Sequence, residues 1–305
     1  RGRVTVFGTS GKSRQKRDMT GFLFILPTLL VLAVLLLYPV LASIFYSFTS
    51  KHLLKPTYGF VGLKNYIEVL KDPAFYSAFW VSIRWTFFSL AGQLLVGFTA
   101  ALALNRIRRF QGILRTVLII PWAFPSIVIA LGWKWILNGV YGFVPLLLQK
   151  IGITESVPQF FSDVSLVFGT LVFINIWFGS PLIMVNVLSA LQTIPQDQYE
   201  AAQIDGASAW KCFTIITFPH IRNVVGLLVV LRTIWIFNSF DMIFLLTGGG
   251  PANMTASLPI YAYNIGWGVK QLGRASAVTV ILLIFLLMLC ALYFKLLDHW
   301  EKENG

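Results

Sequence analysis

Six long apolar runs divide this chain, at residues 22–48, 85–104, 116–137, 164–191, 224–246 and 275–294. A bilayer core takes about 20 mostly apolar residues per helix, so the pattern predicts six transmembrane helices in an all-α integral membrane protein. Four runs hold no charge; the third holds Lys134 and the fifth holds Arg232 and Asp241. Pro27, Pro39, Pro121, Pro125 and Pro181 interrupt the runs. Backbone facing hydrocarbon cannot leave carbonyls without partners, so such breaks face protein or water. Kinked helices around a pathway suit a transporter, although any single proline also reads as a plain bend. The first run is too long for a signal-peptide core and reads as a retained helix.

The polar intervals carry further expectations. Segment 194–219, between the fourth and fifth runs, is polar and contains EAAQIDGASAW. Residues 51–78 are polar and aromatic, with a short surface helix expected near 63–70. Residues 247–271 open with TGGGPANMT. Three glycines and a proline end a helix, so an ordered re-entrant turn facing an external partner is expected there.

Charge orients the chain. Only 12% of the residues are charged, against about a quarter in soluble proteins, and the net charge is +12. The basic residues flank the apolar runs, which argues for topology signals and against a nucleic-acid surface. Arg1, Arg3, Lys12, Arg14, Lys16 and Arg17 precede the first run; Arg106, Arg108, Arg109 and Arg115 lie between the second and third. The positive-inside rule makes that side cytoplasmic, with both termini inside. This divides the chain into a basic cytoplasmic tail, 1–21, a membrane domain, 22–297, and a short cytoplasmic tail, 298–305.

Chemistry is sparse. Cys212 and Cys290 give no disulfide framework or zinc spacing, and His52, His220 and His299 are too scattered to suggest a metal site. GTSGKS at residues 8–13 lacks the glycine a phosphate-binding loop needs at position 6, which is Val6, and no strand precedes it. No Ser–His–acid group or carboxylate pair stands where catalysis would need it, so the chain is not expected to be an enzyme or to bind a cofactor. Charges at membrane depth are costly and functional by default. Arg232 and Asp241, nine residues apart, fall on nearly opposite faces of one helix. Lys134, between Trp133 and Trp135, reads as snorkelling at the outer end of its run, and Arg84 as interfacial.

The order of Glu200, Ala201, Ala202, Gly206, Ile216 and Pro219 resembles the coupling segment of ATP-binding-cassette (ABC) import permeases, with Phe218 in place of the usual Leu. Residues 119–142 (IIPWAFPSIVIALGWKWILNGVYG), 175–202 and 240–251 (FDMIFLLTGGGP) are similar to carbohydrate importers, the last to the maltose-type first permease. The resemblance implies a type I ABC importer fold of six transmembrane helices, with a cytoplasmic coupling helix between helices 4 and 5. It implies the bacterial inner membrane, a second homologous permease, two ATPase subunits that hold Mg-ATP, and an extracytoplasmic solute-binding protein. In the coupling segment it implies that Glu200 pairs with the ATPase and that Ala201, Ala202 and Ala207 keep the contact surface small. Asp205 is expected to cap the second of two short helices, and Gly206 to make the turn between them. By position it places sugar contacts at Asn175, Phe178, Gly179 and Leu182, and at Arg232, Trp235, Ile236 and Ser239. Each set is spaced as one helix face. Phe178 and Trp235 would stack on sugar rings, Asn175 and Ser239 would bond hydroxyls, and Gly179 would leave room. Arg232 departs from the small polar residue of the pattern and reads either as a holder of an anionic sugar or as structural. The implied cargo is a sugar, an oligosaccharide. Glycerol-phosphate or a polyol is the nearest alternative. Ion-coupled secondary transport is a different class that needs intramembrane acids and repeats.

Overall fold

A computed structural model describes residues 11–107 and 109–304, and the side chains of 22–107 and 109–295. The phosphate-loop-like segment, the basic side chains of the first tail, Arg108 and His299 therefore lie wholly or partly outside the described residues. The described residues are helical, apart from loops and a single bridge between Thr49 and Phe60.

Five helices are long and apolar enough to span a membrane: Phe22–Ser47, Pro73–Arg106, Val167–Leu191, Ala209–Phe237 and Leu272–Lys295. The bent pair Gln111–Ala123 and Ser126–Ile136 supplies a sixth, with a turn of 92° between its halves. The bend follows from Pro125. A proline pushes the preceding residue out of the helical region, and Phe124 is extended at φ −89°, ψ 148°. The expected third run is thus one broken span.

Other boundaries move for equally local reasons. The second span starts at Pro73, ahead of the expected 85, because Asp72 accepts the Ala74 N–H at 2.9 Å and proline suits a first turn. Arg84, which lies within the helix, cuts the uncharged run short. The fifth span begins at Ala209, inside the polar segment 194–219, and ends at Phe237. Asp241 therefore opens a separate helix, Asp241–Thr247, and the opposite-face relation expected for Arg232 and Asp241 along one helix does not hold. The first and sixth helices continue into the tails, over Gly11–Leu32 and Leu272–Asn304. The surface helix expected near 63–70 is Lys64–Lys71.

Two spans contain a π-helical turn, Ala33–Leu37 and Phe213–Thr217. Each ends two residues before a proline, Pro39 and Pro219. Proline cannot donate to the carbonyl four residues back. The residue before it reaches five back instead: Tyr38 N to Ala33 O, and Phe218 N to Phe213 O. The helix widens and runs on.

The second and fourth spans form the centre. Gly97 lets them close up: a Cβ there would stand 2.7 Å from Ser180 O and 2.8 Å from Ile183 Cβ. Small residues serve such close approaches between membrane helices. At the end nearer segment 194–219, Ala101, Leu104, Met184, Val187, Leu188, Ile221 and Leu228 pack together. Toward the opposite end Trp85, Ile174, Ile236, Met242 and Ile260 do so. The first span stands apart, with none of its most apolar stretch buried inside this chain. It meets the sixth span near its own C-terminal end, where Ser43 Oγ lies 3.1 Å from Thr279 Oγ1.

Candidate functional site

Residues 194–208, between the fourth and fifth spans, form a knob with the first turns of the fifth. The helix Gln196–Ile204 opens after Pro195 with Asp197 in its first turn, where the helix dipole favours an acid. It ends in a Schellman turn: Gly206 N bonds Gln203 O at 3.0 Å and Ala207 N bonds Ala202 O at 2.9 Å. Gly206 takes φ +77°, and a Cβ added there would meet nothing within 4 Å, so its need for glycine is conformational rather than steric. The next helix is capped by Ser208, whose Oγ accepts the Lys211 N–H at 3.3 Å. Asp205 instead closes the first helix. The second helix is also not a short separate piece, since it runs on as the fifth span. Tyr199 Oη and Thr217 Oγ1 are 2.8 Å apart, which ties the first helix of the knob to the root of the fifth span.

Glu200, Ala201, Asp205 and Gly206 are exposed; Ala202 and Ala207 are half-buried. Sequence reasoning passed over two larger features here. Ile204 is 86% exposed and Trp210 is 73% exposed, on either side of the Gly206 turn. A large apolar residue on a polar knob marks a contact surface, and that contrast was visible in the sequence.

A second polar cluster lies inside the membrane. Arg232 is 5% exposed and Gln93 fully buried. Arg232 donates to Gln93 Oε1 from Nε at 2.9 Å and Nη2 at 2.7 Å. Gln93 Nε2 donates to Asn175 Oδ1 at 2.7 Å and to its main-chain oxygen at 2.9 Å. Three spans are thereby joined. Gly179 provides the space: a Cβ there would overlap Arg232 Nη2 and the Gln93 amide. The room expected for a sugar is filled by this chain's own side chains. Gln93 was absent from the sequence-derived set, yet a glutamine amid the second apolar run was the available signal.

The remaining expected contacts separate. Phe178 and Leu182 are half-buried. Trp235 is 53% exposed, its ring 5.7 Å from Arg232 Cζ. Ile236 is buried against the second span, where its carbonyl accepts Trp85 Nε1 at 3.0 Å. Ser239 lies beyond the end of the helix, so it does not complete a face with Arg232. Lys134 reaches sideways, donating to Leu245 O at 2.9 Å near the end of helix Asp241–Thr247.

Away from the knob, the segment after the glycines folds back into the protein. Thr255 Oγ1 donates to Gly250 O at 2.8 Å, and Leu258 N donates to Ser82 Oγ at 2.8 Å. Close by, Asp72 joins the second span to the sixth through Arg274 Nη2 at 2.6 Å and accepts from Tyr261 Oη at 2.8 Å. Burial works against ionisation of Asp72, but the bonds from Tyr261, the Ala74 N–H and Arg274 outweigh it and hold the carboxyl below its usual range. Burial and the Asp72 charge push the Tyr261 hydroxyl up to about 12.

Residues 93–302 match the family described as binding-protein-dependent transport system inner membrane component. The chain is 34% identical over 286 residues to the trehalose/maltose transport system permease protein MalF of Thermococcus litoralis, covering 94% of this chain and 96% of that one. It is 34% identical to the inner membrane ABC transporter permease protein YcjO of Escherichia coli, covering 91% and 92%. It is 31% identical to the diacetylchitobiose uptake system permease protein DasB of Streptomyces coelicolor, covering 97% and 93%. A crystal structure of a bacterial ABC transporter for import of the acidic polysaccharide alginate contains a chain of the same fold, with a TM-score of 0.82 and 21% identity over 93% of this chain and 96% of that one. The fold is the type I ABC importer permease fold expected from the resemblance. The chain belongs to the family of binding-protein-dependent transport system inner membrane components.

Proposed function

We propose that this chain is a transmembrane permease subunit of an ATP-driven importer that carries a sugar, an oligosaccharide, received from an extracytoplasmic binding protein. The observation that carries the reading is the exposed helix pair around Gly206, at the foot of the fifth span, in a chain that aligns end to end with permeases named for sugar transport. The full assembly adds a second homologous permease and two ATPase subunits that hold Mg-ATP. This chain performs no catalysis and binds no cofactor. Both termini face the cytoplasm, the segments 1–21 and 298–305 being tails to the membrane domain 22–297. The turn after Gly248–Gly250 faces the binding protein.

ATPase closure draws the knob inward, and the rigid run from Ala209 to Phe237 carries that movement into the membrane. Glu200 and Asp205 meet basic groups of the ATPase, while Ala201, Ala202 and Ala207 allow close approach. Asn175, Phe178, Leu182, Trp235 and Ser239 supply the sugar-contacting surface, with Gly179, Arg232 and Ile236 behind it. The test is ATP hydrolysis by the reconstituted complex with its binding protein across neutral and uronic-acid oligosaccharides, glycerol-phosphate and polyols. Stimulation by an oligosaccharide is expected. Stimulation by glycerol-phosphate or a polyol alone would replace the cargo, and none by any of them would overturn the sugar reading.

A further inference from the structure

Arg232 is a buried charge without a buried counter-charge. Among the described residues the ion pairs are Lys64–Glu68 and Arg274–Asp72, so Arg232 takes part in neither. Its partner is an amide, and that choice has a consequence for the next amide along.

A guanidinium has only donors. The Gln93 atom facing it must therefore be oxygen, and the Gln93 nitrogen is turned toward the fourth span. Both its hydrogens are used there, on the Asn175 main-chain oxygen and Oδ1. The Asn175 atom facing Gln93 must in turn be oxygen. Its nitrogen then points the other way, with Met242 Sδ at 3.6 Å as the acceptor. A thioether is a weak acceptor. A chain of amides alone has no preferred direction, since oxygen and nitrogen ends are nearly the same shape. The charge on the fifth span supplies the direction.

We propose that Arg232 is a positioning residue: acting through Gln93, it holds Asn175 with its amide nitrogen turned away from Gln93 and toward Met242, as the end that donates to a ligand. The ligand chemistry this selects is a neutral acceptor oxygen, the hydroxyl or ether oxygen of a sugar, taking the place of the thioether. The inference rests on the proposed sugar-contacting role of Asn175. Arg232 itself stays behind the site, clamped at Gly179, where any side chain would displace it.

The experiment uses the reconstituted complex with its binding protein, and the oligosaccharide that stimulates the wild type. Gln93→Glu keeps the shape and still accepts from Arg232, but has no hydrogens for Asn175, whose amide then turns over. Asn175→Asp keeps the bond from Gln93 and removes the donor at the ligand-facing end. Each variant is expected to raise KM for the sugar-loaded binding protein about tenfold, the worth of one hydrogen bond, with kcat near wild type. A pure tie between helices predicts an unchanged KM in Asn175→Asp, which keeps both bonds from Gln93, and an unchanged KM in an assembled variant overturns the proposal. A loss confined to uronic-acid sugars in Gln93→Glu also overturns it, by making the net charge of Arg232 the ligand contact. Should one variant fail to assemble, the other gives the same reading. Failure of every sugar to stimulate the wild type is seen before any variant and speaks against the sugar reading, not the amide chain.

Discussion

At Gly179 the missing side chain is occupied by Arg232 and Gln93, so a glycine that looked like space for a ligand is a socket for a charge. Gly179→Ala should force these groups apart and destabilise the protein by about 1–3 kcal/mol, as overpacking does; a thermal melt of the solubilised protein would show it as a lower Tm, and an unchanged Tm would contradict the packing. A second residue-scale prediction concerns Asp72. Its folded pKa is depressed, so its contribution to stability is complete above the unfolded value of about 4 and is lost as pH falls through the folded value. Asp72→Asn should therefore flatten the acid side of the stability profile, with Tm equal to wild type only at the lowest pH; parallel wild-type and variant profiles would refute this. The Arg232 position was legible in the sequence as a costly charge, but its partners were not. Gln93 and Asn175 lie far from it along the chain, on the second and fourth spans, and hydropathy carries no information on which polar residues of separate helices meet.

Helix ends show the limit of reading elements from apolar runs. The second and fifth spans start well outside their runs because capping at Asp72 and Ser208 extends helices that hydropathy cuts short. The third run concealed a 92° break, although its cause, Phe124 before Pro125, was in plain view. The turn between the two helices was legible from Gly206, and the structure places a left-handed residue there. The capping role given to Asp205 went to Ser208, since Asp205 closes the first helix and the turn at Gly206 comes before the second begins. At the contact between the second and fourth spans, Gly97→Ala would bring a methyl against Ser180 O, a backbone atom that cannot move aside alone. It should cost about 1–3 kcal/mol, readable as a lower melting temperature; tolerance without loss would show that the two helices do not meet there.

At the scale of the whole molecule, the exposed first span, the polar knob and the folded-back outer turn describe one subunit of a larger assembly. The most apolar stretch of the first span has no cover within this chain. Ile204 and Trp210 stand out on the polar knob. Replacing both by alanine should leave membrane insertion intact while lowering sugar-stimulated ATP hydrolysis several-fold, as loss of apolar anchors does at interfaces; normal stimulation would remove these residues from the contact. The central claim is that the turn at Gly206 passes ATPase movement to the fifth span. It is tested most directly by oligosaccharide uptake into proteoliposomes that hold the complete complex, with binding protein outside and ATP within, comparing wild type with Gly206→Val. A β-branched residue at φ +77° is strained by roughly 1–2 kcal/mol or more and breaks the turn. The account predicts ATP-dependent uptake by the wild type and none by an assembled variant. Uptake that survives ATP depletion, or normal uptake by the variant, would contradict it.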